Sequence, residues 1–254
     1  ELAEQNVRTP LHVKFDTGMH RQGIVQDELD ETFTLLTSNQ QLNIQGICSH
    51  LSDADADDAT FTTSQIRSWN EIYEQTKKLL PNTKFFHLSA TKGIRYTESI
   101  KANVFRLGLG LYGIDPAGEM KNLKPALELN TRITALRTIE KGEHVGYNNT
   151  FTAERQTKVA TIPAGYYEGI DRRLSNKGYV EINGQPCPLI GRISMNMSCV
   201  DVTDVPNVKE GDEVVVISTN IQAPNSIQNM AEVCNTISYD ILVHVNPALR
   251  RRVI

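Results

Sequence analysis

Lys14, Asp16, Arg21, His50, Thr91 and Arg106 form a polar set of the kind an active site needs: cations, a carboxylate, an imidazole and a hydroxyl. Each lies at the end of, or just beyond, a segment with strand-like composition. The segments are LHVKFDTGMHR (11–21), LNIQGICSH (42–50), KFFHLSAT (84–91) and NVFRLGLGLYG (103–113). The stretches between them read as helices, so the repeating unit is strand then helix. In a parallel β/α array the strand ends and following loops converge on one face, and such folds do their chemistry there.

The elements that must position these residues follow from hydrophobic spacing. Residues 27–39 and 58–80 carry apolar side chains three and four apart, with Phe61, Ile66, Trp69, Ile72, Tyr73, Leu79 and Leu80 on or near one stripe of the second, which predicts two helices. Pro81 ends the second helix, and a further short helix is predicted from Lys92 to about Asn103. After residues 113–125 the texture changes to short alternating runs punctuated by Gly, Pro and Asn. ALELNTRITALRTI, TKVATIPAGY, YVEING, CPLIGRIS, CVDVTDV and GDEVVVIS read as strands of a mostly antiparallel sheet or barrel. A last helix is predicted at 226–235, and ILVHVN (241–246) reads as a strand.

The expected fold class is therefore α/β followed by all-β, with domains 1–120 and 121–254. Four β/α units do not close an eight-stranded barrel, and an open edge leaves backbone groups unpaired. The sequence thus leads to the expectation that further units lie upstream of Glu1 and that the chain is a C-terminal portion of a larger protein.

Composition narrows the function classes. The net charge is −4, and the basic residues are dispersed apart from Arg250-Arg251-Arg252, so nucleic acid is not an expected partner. The four cysteines, Cys48, Cys187, Cys199 and Cys234, show no C-x-x-C pairing and sit in apolar runs, which predicts neither a metal site nor a disulfide framework and suits the reducing cytoplasm. No apolar run approaches the roughly 20 residues that span a bilayer, and ELAEQNVRTP lacks the regions of a signal peptide. A soluble enzyme acting on a small molecule fits this balance.

KFDTGMHRQGI, GICSHLSDAD, FRLGLGLYGIDP, VGYNNTFTA, IPAGYYEGIDRRLSN, GRISMNMSCVDVTD and GDEVVVIS occur in an order that closely resembles the bacterial alanine racemases. The resemblance covers nearly the whole chain. It implies a (β/α)₈ barrel that binds pyridoxal 5′-phosphate (PLP), here its second half, followed by a C-terminal β-domain. It also implies a homodimer with shared active sites that interconverts L- and D-alanine for peptidoglycan. The family's barrel opens with a K-A-N-A-Y-G-H-G strand, whose lysine carries PLP covalently and is one of two catalytic bases. No such motif is present, so the isolated chain is expected to be inactive. Lys92 lies beside the expected phosphate site, at what resembles a small or apolar position in the family. A serine-preferring or broad-specificity racemase and a non-catalytic relative are the alternatives.

The same resemblance assigns roles. Racemisation needs a base on each face of a planar intermediate, and Tyr147 resembles the second base, reaching the site of the partner subunit. A phenol with pKa near 10 must be depressed by its neighbours to act near neutrality, and His50 and Arg106 are the candidates. Arg106 resembles the arginine bonded to the PLP pyridine nitrogen. With a pKa above about 12 it cannot pass its proton to the ring, which favours racemisation over transamination. Gly108 and Leu109 resemble backbone donors to the phosphate, with Thr91 adding a hydroxyl and Tyr239 a phenol. Ala90-Thr91 stands where the family usually has Asn-Ser. Lys14 and Arg21 resemble a carbamylated lysine and the arginine it holds toward the substrate carboxylate, an uncarbamylated Lys14 paired with Asp16 being the alternative. Tyr166, Met195 and Arg192 resemble the inner entrance to the site and Arg172 its outer layer, with Glu168 in place of the usual Asp and Asn196 in place of a second Asp.

Overall fold

Three parallel strands, β1 (Pro10–Lys14), β2 (Asn43–Cys48) and β3 (Phe85–His87), form the sheet of the first of two compact units, Glu1–Leu123 and Lys124–Ile254. The structure, a computed structural model, describes residues 9–115, 120 and 122–253. Helix α1 (Leu29–Ser38), entered through a 3-10 turn at Gln26–Glu28, and helix α2 (Thr60–Leu79) supply the apolar partners of this sheet. Phe15, Leu29, Phe33, Ile47, Ile66, Trp69, Ile72, Phe86 and Leu88 form one buried cluster. Because side chains alternate along a strand, burying Ile47 and Phe86 in that cluster turns their neighbours Cys48 and His87 to the opposite face. Register places Lys14 beside Cys48 and Cys48 beside His87, giving a polar row across the sheet.

One irregularity shapes that row. Leu11 pairs with Ile44 but His12 pairs with Gly46, so Gln45 is bulged out of the β1–β2 ladder. The His12 ring then lies over Gly46, where an added Cβ would meet it at 2.6–2.9 Å. Only glycine leaves room for the imidazole to cross the second strand.

Three expectations for the first unit need correction. Residues 103–113 do not form a fourth full strand. The segment runs beside β3 through Asn103 N–H and Val104 N–H to Phe86 O and a single parallel bridge, Ala90 to Arg106. The Asn103 side chain takes over two further backbone partners, accepting from Phe86 N–H and donating to Lys84 O, and the chain turns into a 3-10 helix at Leu109–Tyr112. The helix expected from Lys92 is a 3-10 helix, Thr91–Ser99. On α2 the buried stripe is Thr62, Gln65, Ile66, Trp69, Ile72 and Thr76, whereas Phe61 and Leu79 are exposed. The polar members are buried because each is satisfied: Thr62 donates to Asp53 O, Thr76 to Ile72 O, and Gln65 Oε1 accepts from Ser52 N–H.

In the second unit, β4 (Leu129–Arg132), β5 (Ala135–Ile139), β8 (Thr157–Ile162), β9 (Tyr179–Ile182), β10 (Gln185–Ile190), β11 (Ser198–Asp201) and β12 (Glu213–Ile217) form an antiparallel sheet in the order β4-β12-β9-β10-β11-β8-β5. A separate two-stranded ribbon joins β6 (His144–Val145) to β7 (Phe151–Thr152), and α3 (Ile227–Val233) and α4 (Ser238–His244) follow. The expected strand ILVHVN is instead largely α4. Its buried residues Ile241, Leu242 and Val245 are one and four apart, which suits one helical face better than a pleat. Among the described residues no helix is long and apolar enough to cross a membrane.

Trp69 is fully buried and its indole N–H donates to Lys101 O at 3.1 Å. Trp69→Ala should cost about 3–5 kcal/mol, read as a lower denaturant midpoint for the first unit. An unchanged midpoint would contradict this placement of the core.

Candidate active site

Arg106 is the hub of the polar face. Its Nη1 donates to His87 O at 3.1 Å and meets His87 Nδ1 at 2.6 Å. Its Nη2 donates to Ser49 O and Leu88 O at 2.8 and 2.9 Å and meets His50 Nδ1 at 2.7 Å. The guanidinium therefore sits across the C-terminal ends of β2 and β3, bonded to the Ser49 and Leu88 carbonyls and sharing the His87 carbonyl with Ser49 N–H. Among the described residues it makes no ion pair, and its Nε–H is the donor without an acceptor.

This geometry sets the histidine tautomers. A guanidinium only donates, so His50 Nδ1 and His87 Nδ1 both accept, and the neutral rings carry their protons on Nε2. His87 Nε2 lies 2.8 Å from His12 Nδ1 and donates to it, with the two rings 5.0 Å apart. Burial and then the Arg106 charge, with a contribution from His12, push His87 down to about 4. His50 is lowered by burial, then by Arg106, Arg21 and Lys14. Burial lowers Arg106 itself, partly opposed by Cys48. The result is one fixed cation flanked by two neutral imidazoles.

Thr91 lies at the start of the 3-10 helix, buried, and its hydroxyl oxygen accepts from Gly108 N–H at 3.1 Å and Gly110 N–H at 3.2 Å. This joins the β3 end to the turn that carries Leu109, itself buried. The expected backbone donor Gly108 is thus already bonded to Thr91. Lys92 forms an ion pair with Asp55. Lys14 is not paired with Asp16: its Nζ donates to Gln22 Oε1 at 3.3 Å, while Asp16 Oδ1 accepts from three backbone N–H groups of the following loop. Arg21 is exposed, and its charge reaches His50.

The second unit gathers a different group. Tyr147 opens a 3-10 turn, Tyr147–Asn149, between β6 and β7. Val145, two residues earlier, packs with Ile190 at the end of β10, and Gly191 N–H donates to Asn176 Oδ1, whose amide reaches back to Thr150 O. The loop after β10 then meets the loop after β8 backbone to backbone. Tyr166 N–H donates to Ser194 O and Tyr167 N–H to Met195 O, and a Cβ on Gly165 would lie 2.2 Å from Ser194 O. The β6–β7 turn carries Tyr147 and these two loops carry Met195 and Tyr166, which are 67%, 58% and 45% exposed. Arg192 is half-buried, with its Nε–H enclosed and without an acceptor among the described residues. Arg172 is exposed on a 3-10 turn whose Ser175 hydroxyl accepts from Ile193 N–H. Tyr239 lies in the first turn of α4.

His87 and His12 are the residues that sequence reasoning missed. His87 lies in the middle of the segment read only for Thr91, and the strand in fact ends at His87. His12 alternates onto the polar face with Lys14, but its reach to β3 depends on the Gln45 bulge beside Gly46. No group of three or more His, Cys, Asp or Glu placed to hold a metal occurs among the described residues.

Family models described as the alanine racemase N-terminal and C-terminal domains match residues 1–116 and 126–253. An alanine racemase of Sorangium cellulosum is 35% identical over 98% of this chain and 67% of its own length, and one of Halothermothrix orenii is 32% identical over 98% and 66%. The chain thus spans about two thirds of these curated relatives. The fold is similar to the alanine racemase of D-cycloserine-producing Streptomyces lavendulae, with a TM-score of 0.88 at 25% identity over 96% of this chain and 66% of that one. It is also similar to the Bartonella henselae enzyme with covalently bound pyridoxal phosphate, with a TM-score of 0.78 at 29% identity over 95% and 66%.

His87 should titrate near pH 4 by nuclear magnetic resonance, and Arg106→Gln should move it up toward the ordinary 6.5. Its folded value lies below its unfolded value. As the pH falls from about 6.5 to 4 the unfolded chain takes up a proton that the folded chain refuses, so stability drops over that window and this loss is absent above it. A His87 midpoint unchanged by Arg106→Gln would contradict the electrostatic cause.

Proposed function

Because this chain belongs to the alanine racemase family, we propose that it supplies the ring-nitrogen contact and one of the two bases of a PLP-dependent enzyme interconverting L- and D-alanine for peptidoglycan. When bound, PLP acidifies the α-carbon of an amino acid it holds. Apart from the second base, the remaining roles fall to groups of this chain described above. The observation that carries the proposal is the donor arithmetic at Arg106, whose Nη groups are taken by carbonyls and imidazoles while Nε–H is left for an acceptor nitrogen. A guanidinium held this way keeps its proton and acts as a hydrogen-bond donor, not as an acid.

His50, neutral with a proton on Nε2, donates to the phenolic oxygen of Tyr147 of the partner subunit and orients it. Tyr147 takes or returns the α-proton on one face, its exposure fitting a group that completes the site of a second copy. Thr91, the Leu109 backbone and Tyr239 hold the phosphate, while Gly108, its N–H taken by the Thr91 hydroxyl, keeps that turn in place. Arg21 binds the substrate carboxylate, aided by Lys14 in carbamylated form, and Tyr166, Met195, Arg192 and Arg172 narrow the approach. In this reading the first unit is the second half, in chain order, of a (β/α)₈ barrel, the β-rich unit is the C-terminal domain, and the enzyme is a cytoplasmic homodimer. The other base is a lysine in a K-A-N-A-Y-G-H-G strand, which these 254 residues do not contain. The chain alone is therefore inactive.

The test joins this chain with a polypeptide segment bearing that lysine and follows alanine interconversion. Activity should appear only in the combination, and a borohydride-fixed PLP adduct should map to the added lysine. Tyr147→Phe should then cut kcat at least about 100-fold, the usual weight of a general base. Full activity in the Tyr147→Phe assembly would refute the two-base assignment.

A further inference from the structure

Arg21 sits on the loop that closes between Asp16 and Ile24. Asp16 N–H donates to Ile24 O, and Ile24 N–H donates to Lys14 O, at 2.8 and 2.9 Å. Among the described residues the Arg21 side chain makes no hydrogen bond or ion pair of its own, yet its charge is felt at His50. Nothing on the guanidinium itself fixes its direction. The direction must come from the backbone.

The backbone of this loop is held by one group. Asp16 Oδ1 accepts from Gly18 N–H and Met19 N–H at 2.9 Å each and from His20 N–H at 3.1 Å. The side chain is only 4% exposed, and Oδ2 faces His20 Nδ1 at 3.9 Å. Consecutive backbone N–H groups converging on one oxygen form an anion-binding concavity, and here the anion is part of the chain. Burial pushes the Asp16 carboxyl up, but the three backbone donors and His20 outweigh it and hold it below the usual value. The curl places His20 in the left-handed region, φ 53°, immediately before Arg21. A non-glycine residue adopts that conformation at a cost that its surroundings must offset, and these charge-assisted bonds are the local interaction that does so.

We propose that Asp16 is the positioning residue for Arg21: its carboxylate sets the loop that aims the guanidinium, without touching substrate. This rests on the reading of Arg21 as the substrate-carboxylate ligand. A misplacement of about 1 Å at such a group lowers rate by up to about 100-fold, so the loop carboxylate bears directly on substrate handling.

A double-mutant cycle in the assembled racemase decides it. Arg21→Ala should raise KM for alanine, and Asp16→Ala should raise it by about tenfold or more with a smaller change in kcat. The double variant should be no worse than Arg21→Ala alone, because a mis-aimed residue that is absent cannot be mis-aimed further. In parallel, hydrogen exchange at the Gly18, Met19 and His20 amides should quicken in Asp16→Ala and remain slow in Arg21→Ala. Asp16→Asn, which keeps an acceptor oxygen but not the charge, should fall between, and it carries the test if Asp16→Ala does not fold. Additive KM effects, or an unchanged KM in the Asp16 variants beside a raised one in Arg21→Ala, would overturn the proposal. If Arg21→Ala leaves KM unchanged, the reading of Arg21 fails and the proposal with it. That failure is distinguishable, because the exchange at residues 18–20 still reports the loop.

Discussion

A half-buried guanidinium with no carboxylate partner among the described residues organises the polar face of the first unit. Arg106 is held by the carbonyls of Ser49, His87 and Leu88 and by two imidazole nitrogens. Burying a charge without an opposite charge is costly unless its donors are satisfied by well-placed dipoles, and the strand ends of β2 and β3 supply them. Burial first and this charge second depress both flanking histidines, so neither competes with it as a cation. Lysine could not substitute, since an ammonium on one atom cannot span two strand ends and two rings while leaving a further donor free.

The remaining features of that face are conditions for this arrangement. The Gln45 bulge and Gly46 let His12 lie across β2 and accept from His87, which fixes the His87 tautomer from the far side. Thr91 ties the turn after Arg106 back to the end of β3. The concavity of about 840 Å³ bordered by Leu29, Ile66, Arg67, Asn70, Glu71 and Lys101 includes neither Arg106 nor the histidines. That groove is lined apart from the polar face. In the second unit rigidity comes from backbone packing between loops, and large side chains such as Tyr147 and Met195 are displayed on it with little packing of their own.

Part of this was legible beforehand. Strand-end position singled out His50, Thr91 and Arg106, and helical spacing located α1 and α2 to within a few residues at each end. The polar members of the α2 stripe were invisible, because hydropathy does not register that Gln65 or Thr62 will find partners in the 52–53 turn. The α4 segment was misread for the opposite reason: a six-residue run with four β-branched or apolar residues fits both a strand and a short helix, and only burial of Ile241, Leu242 and Val245 separates the two.

The sequence by itself determined the helical faces of α1 and α2, where chain texture changes from β/α to β-rich, and, through the family resemblance, which cation could serve as a permanent donor. These are local properties, set by side-chain spacing and by ionisation chemistry. Tertiary structure alone decided that His12 reaches His87, that both Arg106-bound imidazoles are protonated on Nε2, and that Asp16 serves the backbone of the Arg21 loop instead of pairing with Lys14. Each depends on inter-strand register or on competition among several hydrogen-bond partners within a few ångströms, and neither is encoded in the spacing of residues along the chain.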